Sequence, residues 1–401
     1  MARRQRCQFG RQPGTEEQFD GRILLRINEV VPTVGSPLST IGVEEEFLLV
    51  DPETRAPTPA AECVIVRAAA TLGELVSGEF TRMQLEVKTQ PCSEATQLRD
   101  ELLRLRAIAA SAARDEGARI CAAGTPVIGA AGPLVVGDHP RYRAGLRQYR
   151  AMLDDFSVCA VHVHIHVPDR ETAVLAGNHL RPWLPLLIAL SANSPFHHGE
   201  DTGYADWRAV IRSRFPCLGP PPYAESLEHH EELAAAMAET EAMLQPDMPL
   251  WDIRPNPSLP TLEIRSMDVN PDIDDTVALA TLIRALTHTV MARVRRGDPG
   301  PRPASEVLRA AYWRAARDGW SGHGVDALSG QILSVAAQAH RMVEHIRPAL
   351  DEFGDTGLVQ AYLERMAAHG GGAERQRASA ARHGDLTGLV DDLIARTEQR
   401  T

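Results

Sequence analysis

The sequence predicts an α+β fold whose last third is helical. Short segments in which apolar and polar residues alternate at period two are typical of strands. Segments with a helical period lie between them, without a regular strand–helix repeat. After Asp272 only helical patterns follow. The alternating segments are GVEEEFLLV (42–50), RMQLEVKT (82–89), AVHVHIHVP (160–168) and PTLEIRSMDV (260–269).

Residues 1–38 are predicted to form a variable N-terminal extension, and residues 39–401 a single domain. The segment MARRQRCQFGRQPG carries arginines but no apolar stretch, so it does not have the pattern of a secretory signal. Acidic Glu16, Glu17 and Asp20 follow, which argues against a transit peptide. The connections further along are short, so we expect no second domain boundary.

Helices are predicted where apolar residues recur at a spacing of three and four. Leu98, Leu102, Leu105 and Ala109 form one such stripe, which stops at Gly117. Several later segments start after Asp or Ser and finish near arginines, as helix capping and the helix dipole favour. After DIDDTVALATLIRALTHTVMARVRRG, the further helical segments begin near Ala304, Asp326, Asp355, Ala373 and Asp385.

The composition is that of a globular protein, with 44% hydrophobic and 24% charged residues among 401. A net charge of −11 argues against a nucleic-acid surface, which needs a basic stripe. Six cysteines without CxxC spacing favour buried thiols in a reducing cytoplasm. The apolar run WLPLLIAL (183–190) is too short to span a membrane. We expect a cytoplasmic protein that binds small molecules, with its oligomeric state open, a homo-oligomer included.

The predicted strands share an unusual bias on their polar faces. Because side chains alternate across a sheet, each strand places its polar residues on one side and its apolar residues on the other. A single such face is ordinarily a solvated one. Four faces dominated by Glu, His and Arg are harder to explain in that way. The residues on these faces are Glu44, Glu46, Gln84, Glu86, His162, His164, His166, Glu263 and Arg265.

Clustered carboxylates indicate a bound cation. Like charges on neighbouring strands repel each other unless a cation lies between them. Oxygen ligands suit Mg²⁺, and a histidine among them makes Mn²⁺ an acceptable substitute. The HVHIH segment leaves zinc as the competing interpretation, because imidazole is a preferred zinc ligand. The surrounding glutamates favour Mg²⁺.

The sequence lacks the common signatures of phosphate loops and covalent catalysis. The glycines of GTPVIGAAGPLVVG (124–137) have neither the Lys-Ser/Thr ending nor the strand–helix context of a phosphate loop. The chain has no GxSxG segment, and its cysteines lie in no recognised nucleophile setting. A reaction through an acyl-phosphate needs no enzyme nucleophile, only positioned reactants and stabilised phosphoryl charge.

The same segments resemble a known family, the glutamate–cysteine ligase type 2 or carboxylate–amine ligase family. The resemblance runs from about Ile41 to the C-terminal helices, and its motifs follow each other in order. It implies a glutamine synthetase-like fold, with a curved, mainly antiparallel sheet and helices packed behind it. The segments that carry it are IGVEEEFLLVDPET, AVHVHIHVPDRETAV, SANSPFHHGEDTGYADWR, WDIRPNP and TLEIRSMDVNP. YRAGLRQYR (142–150) and EIRSMDVNP also resemble segments of the classical bacterial glutamate–cysteine ligases, which share this fold.

The resemblance also implies roles for individual residues. Arg265 is expected to contact the transferring phosphate as a catalytic residue, and Arg143 to bind ATP together with it. Tyr204, Arg254 and His164 are assigned to substrate binding. The implied metal ligands are Glu44, Glu46, Glu86, His162 and Glu263.

The predicted function is that of an ATP-dependent ligase. With Mg²⁺ or Mn²⁺ as cofactor, the enzyme would activate a carboxylate, for this family the γ-carboxylate of glutamate, as an acyl-phosphate. Cysteine or another amine would then form the amide, with release of ADP and phosphate. The alternatives are a zinc- or manganese-dependent hydrolase using HVHIH, and a non-catalytic protein that retains the metal site. No local motif identifies the acceptor amine.

Overall fold

The computed structural model describes residues 39–130, 132 and 134–399. The predicted extension, residues 1–38, lies outside the described residues. From Ser39 onward the described chain forms one compact unit. Its strands are β1 Ile41–Val50, β2 Val76–Gly78, β3 Gln84–Lys88, β4 Arg119–Cys121, β5 Ala160–His166, β6 Phe196–His197, β7 Glu200–Asp201, β8 Ile253–Pro255, β9 Thr261–Asp268, β10 His323–Val325 and β11 Ile332–Ser334.

Helices account for much of the remaining described chain, and they follow one another closely after β9. Short 3₁₀ helices cover Gly73–Leu75, Arg150–Leu153 and Arg181–Trp183. The α-helices are α1 Ala61–Leu72, α2 Ala95–Asp115, α3 Pro140–Tyr149, α4 Arg170–Leu180, α5 Leu184–Ser191, α6 Trp207–Arg212, α7 Leu227–Glu239, α8 Ile273–Val294, α9 Ser305–Asp318, α10 Val335–Phe353, α11 Thr356–His369, α12 Gly372–His383 and α13 Leu386–Thr397.

The main sheet is antiparallel throughout its described pairs. Its strands lie in the order β2-β3-β1-β5-β9-β8, and β4 pairs with the end of β1. All four predicted strands are found in it, and a helical C-terminal region follows. The predicted α+β class with a mainly antiparallel sheet is therefore confirmed.

One face of the sheet packs against helices. Val43, Phe47, Val163 and Ile264 are buried there. From this side α2 contacts β1 and β3, and α8 contacts β1 and β5. The burial of such side chains supplies most of the driving force for folding, at about 25 cal/mol per Å² of apolar surface. The opposite face carries the charged side chains of the candidate site.

The helix-packed face also contains one buried ion pair. Glu45 points away from Glu44 and Glu46, and its side chain accepts hydrogen bonds from Arg106 of α2 and from Thr276. Both members of the pair are almost completely buried. The middle glutamate of GVEEEF therefore has a structural role that differs from that of its neighbours.

The helix predicted to begin near Asp326 begins later in the structure. Asp326 accepts hydrogen bonds from the N–H groups of Leu328 and Ser329, which closes a turn. This turn joins β10 to β11, and α10 begins only at Val335. Local side-chain hydrogen bonding of an Asp competes with helix formation in this way.

One helix in the described part of the chain, α8, is long and apolar enough to cross a membrane by length and composition. The mean hydropathy of its most apolar stretch is 1.3, and 72% of that stretch is buried inside the protein. A buried core helix passes the same test, so this is weak evidence for a membrane span.

Candidate active site

Strand register brings the predicted acidic and imidazole side chains together on the polar face. Glu44 of β1 lies opposite His162 of β5, and Glu46 lies opposite Glu86 of β3. On the other side of β5, His164 is paired with Glu263 of β9. Residues that are far apart in the sequence therefore become neighbours on adjacent strands.

Two groups of possible metal ligands meet at the imidazole of His162. The first combines it with Glu44 and Glu263, and the second with Glu46 and Glu86, each with ligand atoms within 4.8 Å of one another. The His162 Nδ1 atom lies 3.1 Å from a Glu44 oxygen, and Nε2 lies 3.7 Å from a Glu46 oxygen. All five residues predicted as metal ligands thus belong to one cluster.

Burial and repulsion within the cluster raise the pKa values of both carboxylates of the second group. Burial and the charge of Glu86 raise the pKa of Glu46 to about 7. Burial also raises the pKa of Glu86, with Glu44 as the main repelling charge. Burial and the positive charge of Arg265 lower the pKa of His162 to about 3, which leaves its imidazole neutral and able to bind a metal.

These features fit a divalent cation that prefers oxygen ligands. Within the described residues, each group offers two carboxylates and a single imidazole, an arrangement typical of Mg²⁺ or Mn²⁺ rather than of a histidine-rich zinc site. A cation would also offset the repulsion that raises the pKa of Glu46. The residues that are present therefore fit the implied metal.

Glu263 is held by two arginines at the edge of the cluster. Arg254 of β8 donates two hydrogen bonds to its carboxylate, at 2.8 and 3.0 Å. Arg265 donates a further one to the same carboxylate. Burial by itself would raise the pKa of Glu263, but these positive charges hold that pKa well below its usual range. The Arg265 side chain remains 14% exposed and lines the adjoining cavity, so its guanidinium can contact an anion there.

A cavity of about 360 Å³ opens above this face. Its floor is charged and includes Arg254 and Arg265 beside the acidic cluster. Its opposite side is largely apolar and aromatic, which suits a flat apolar group. The cavity can therefore hold a ligand with an anionic end and an apolar end. The aromatic side chains that line it are Phe80, Tyr142, Tyr149, Phe156 and Phe215.

Arg143 lies outside this cavity. Its side chain is 55% exposed, and its ion-pair partner, Asp138, is 3.9 Å away. The cavity is lined instead by Tyr142, Gly145 and Tyr149, which share the inner stripe of α3. Arg143 falls off that stripe, so the structure does not bring it to the site.

Two of the predicted substrate residues also lie away from the cavity. Tyr204 lines a second cavity, where its hydroxyl accepts a hydrogen bond from Trp313. His164 is buried and lies between Glu44 and Thr261, and does not line the cavity. The position of His164 makes it a support for Glu44, whose pKa is held well below its usual value by hydrogen bonds to His162 and His164 in spite of burial.

Sequence reasoning missed five charged residues that line the cavity, two of which are Arg141 and Arg212. Lys88, whose ammonium is 2.7 Å from Glu86, could have been found because it continues the alternation of β3. Glu79 lies in the loop before β3, where no periodicity marks it. Burial and the charges of Glu46 and Glu86 raise its pKa well above the usual value. Arg208 of α6 is fully buried and donates hydrogen bonds to the backbone carbonyls of Arg265 and the next residue.

Comparison with known proteins identifies the family. The profile of the glutamate–cysteine ligase family 2 (GCS2) matches residues 40–393. A candidate glutamate–cysteine ligase 2-1 from Saccharopolyspora erythraea is 41% identical over 360 residues, which cover 89% of this chain and 94% of that protein. A candidate glutamate–cysteine ligase 2-1 from Nocardia farcinica is 41% identical over 364 residues, with 89% and 93% covered.

Solved structures show the same fold at low sequence identity. A bifunctional glutathione synthetase from Pasteurella multocida superimposes with a TM-score of 0.68 and 14% identity, over 90% of this chain and 52% of that one. A glutamate–cysteine ligase from Francisella tularensis in complex with AMP gives a TM-score of 0.66 and 12% identity, over 90% and 88%. The glutamine synthetase-like fold is thereby confirmed, and no comparison supports the hydrolase alternative. The chain belongs to the glutamate–cysteine ligase family 2 and is an ATP-dependent ligase that forms a carbon–nitrogen bond.

Proposed function

We propose that this ligase joins a carboxylate, the γ-carboxylate of glutamate, to an amine through an acyl-phosphate. The observation that carries the proposal is the meeting of two pairs of carboxylates at the neutral imidazole of His162. Of these residues, all except Glu263 line the floor of a single cavity, together with Arg265. Such a floor suits the phosphates of ATP and their metal ions. The family relationship supports glutamate as the donor.

The reaction has two steps. An oxygen of the substrate carboxylate attacks the γ-phosphorus of ATP, the bond to the β-phosphate oxygen breaks, and ADP leaves. The amine nitrogen then attacks the acyl carbon, the bond from that carbon to the phosphate oxygen breaks, and the amine releases a proton. The products are the amide, ADP and inorganic phosphate, and no enzyme nucleophile is required.

The acidic cluster would hold Mg²⁺, with Mn²⁺ as an effective substitute. Metal ions held there would offset the negative charge of the phosphates during transfer. We add Glu79 to the ligands predicted from the sequence, because its carboxylate shares the second group's repulsion and lines the same cavity. The proposed ligands are Glu44, Glu46, Glu79, Glu86, His162 and Glu263.

The arginines have different proposed roles. Arg265, whose partly exposed side chain lines the cavity, would bind the transferring phosphoryl group while it also donates to Glu263. Arg254, which forms a two-point pair with Glu263 and also donates to a backbone carbonyl, would mainly fix that carboxylate. The aromatic side of the cavity would accept the base of ATP and keep water from the acyl-phosphate.

An isotope experiment tests this proposal. Glutamate labelled with ¹⁸O in its γ-carboxylate is incubated with the protein, ATP, Mg²⁺ and a panel of amines, cysteine included. We expect ADP release that depends on glutamate and an amine, a product with the mass of the γ-glutamyl amide, and one ¹⁸O atom in the released phosphate. Hydrolysis of amides or phosphoesters without ATP would instead support the hydrolase, and ADP release with no label in phosphate would refute the acyl-phosphate.

A further inference from the structure

One basic side chain in the wall of the catalytic cavity has no carboxylate partner in the described chain. Six lysine and arginine side chains line that cavity, and five of them lie within 3.7 Å of a carboxylate oxygen. The sixth, Arg141, forms no ion pair with the described residues. The five pairs are Lys88–Glu86, Arg208–Asp268, Arg212–Asp252, Arg254–Glu263 and Arg265–Glu263.

The surroundings of Arg141 satisfy its guanidinium poorly. The side chain is partly buried, and its described hydrogen bond runs from Nη1 to the sulfur of Met248, at 2.9 Å. A thioether is a weak acceptor, and a guanidinium has five N–H groups that can donate. Leu244 also lines the cavity and lies near Gly145, one turn further along α3. A positive charge held beside such apolar groups favours the binding of an anionic ligand.

Arg141 reaches the cavity from a different element than the acidic cluster does. It belongs to α3, which also supplies Tyr142 and Tyr149 to the aromatic side, whereas Glu44 and Glu86 lie on strands of the sheet. The phosphates of ATP are assigned to the sheet side, so an anion bound by Arg141 is a second one. The adenine base is neutral and offers no charge to pair with. A planar carboxylate fits, because a guanidinium can donate two parallel hydrogen bonds to it.

We propose that Arg141 binds the α-carboxylate of an amino-acid substrate and thereby selects amino acids over amines or acids that lack this group. The inference rests on the proposed ligase function, because it assigns the side chain that recognises one substrate of that reaction. The carboxylate would lie between the guanidinium and the cavity, on the α3 side. The reacting end of the same substrate would extend toward the acidic cluster.

Both substrates of the proposed reaction can supply such a group. Glutamate has an α-carboxylate in addition to the γ-carboxylate that reacts, and cysteine has one beside its reacting amine. In either case a carboxylate fixed at Arg141 holds the reacting atom in one orientation, which favours the reaction over one with a freely rotating substrate. A site built to pair a charged group also rejects the analogue that lacks it.

Binding measured without turnover tests the proposal. The full-length protein is loaded with Mg²⁺ and the non-hydrolysable ATP analogue AMP-PNP, and amino acids are titrated in by calorimetry. Cysteine is compared with cysteamine, and glutamate with 4-aminobutyrate, because each second compound lacks only the α-carboxylate. Arg141→Met should weaken the binding of one amino acid about 10- to 100-fold, as the loss of a charged hydrogen-bonded pair predicts, and should leave its analogue within about twofold. Arg141→Lys should restore part of the loss.

Arg147→Met is the matched control, because Arg147 lies on the exposed side of the same helix and does not line the cavity. It should bind every compound like the wild-type protein, with circular dichroism showing all variants folded. A loss confined to cysteine assigns the carboxylate to the acceptor, and a loss confined to glutamate assigns it to the donor.

Four results would overturn the inference. They are unchanged amino-acid binding by Arg141→Met, an equal loss for an amino acid and its analogue, a loss confined to AMP-PNP, and no amino-acid binding by the wild-type protein. If an amino acid binds in a manner that depends on Arg141 but no combination of substrates supports ADP release, the proposed function fails while the carboxylate site stands.

Discussion

Substitution of Arg265 tests most directly whether this residue has a catalytic or only a structural role. The Arg265→Lys substitution keeps the positive charge but loses the planar guanidinium that can bind two oxygens at once. If Arg265 stabilises the transferring phosphoryl group, kcat should fall about 10²-fold, which corresponds to about 3 kcal/mol of transition-state stabilisation.

The structure predicts that the same substitution costs little stability. Glu263 keeps both hydrogen bonds from Arg254, at 2.8 and 3.0 Å, so its buried charge is not left without a partner. Loss of a sole partner from a buried pair would cost about 3–5 kcal/mol, whereas loss of one of two partners should cost about 1–2 kcal/mol. In a domain of this size that is a fall in melting temperature of a few degrees.

The same substitution at a buried arginine away from both cavities serves as a control. Arg284, whose side chain is 1% exposed against 14% for Arg265, pairs with Asp355 among the helices and lines neither cavity. Arg284→Lys should lower the melting temperature by more than Arg265→Lys does and leave kcat nearly unchanged. Both variants are assayed for kcat by ADP release and for thermal unfolding on the same preparations. An Arg265→Lys enzyme with near-normal kcat and a clearly lower melting temperature would remove Arg265 from the catalytic site.

Three further predictions concern the acidic cluster. Glu46→Gln should abolish turnover, because the metal site loses a charged ligand. In EDTA the variant should melt no lower than the wild-type protein, because the substitution relieves repulsion from Glu86. Rapid turnover, or a marked destabilisation in calorimetry, would contradict this prediction. Because the pKa of folded Glu46 is raised from 4.5 to about 7, the folded state retains a proton that the unfolded chain releases. The metal-free protein should therefore lose stability as pH rises from 4.5 to about 7. The increase in melting temperature given by Mg²⁺ should be larger at pH 8 than at pH 5.5. A flat or opposite trend would refute the raised pKa of Glu46. Glu79→Gln should weaken Mg²⁺ activation about tenfold or more. The control variant Glu74→Gln, in the exposed 3₁₀ helix before β2, should not change it. Equal Mg²⁺ titrations of the two variants would exclude Glu79 as a ligand.

Strand alternation determined much of the candidate site before any coordinates were known. Because side chains on a strand point to opposite faces in turn, the sequence alone places Glu44 with Glu46, and Glu263 with Arg265, on common faces. The Glu and His content of these faces indicates a cation, and the ordered motifs indicate the family. The same rule could have added Lys88, which continues the face of Glu86.

Only the tertiary structure decided which of these faces meet and which of the expected residues reach the site. Strand order and register are long-range properties, and they alone bring His162 between the carboxylates of two different strands. The rotation of α3 turns Tyr142 into the cavity and Arg143 out of it, a difference that sequence similarity over the segment does not resolve. Glu79 lies in a loop without periodicity, and Tyr204 reaches a neighbouring cavity through the packing of α9. The local pattern thus fixes the side of an element on which a residue lies, whereas packing between distant elements fixes what that side faces.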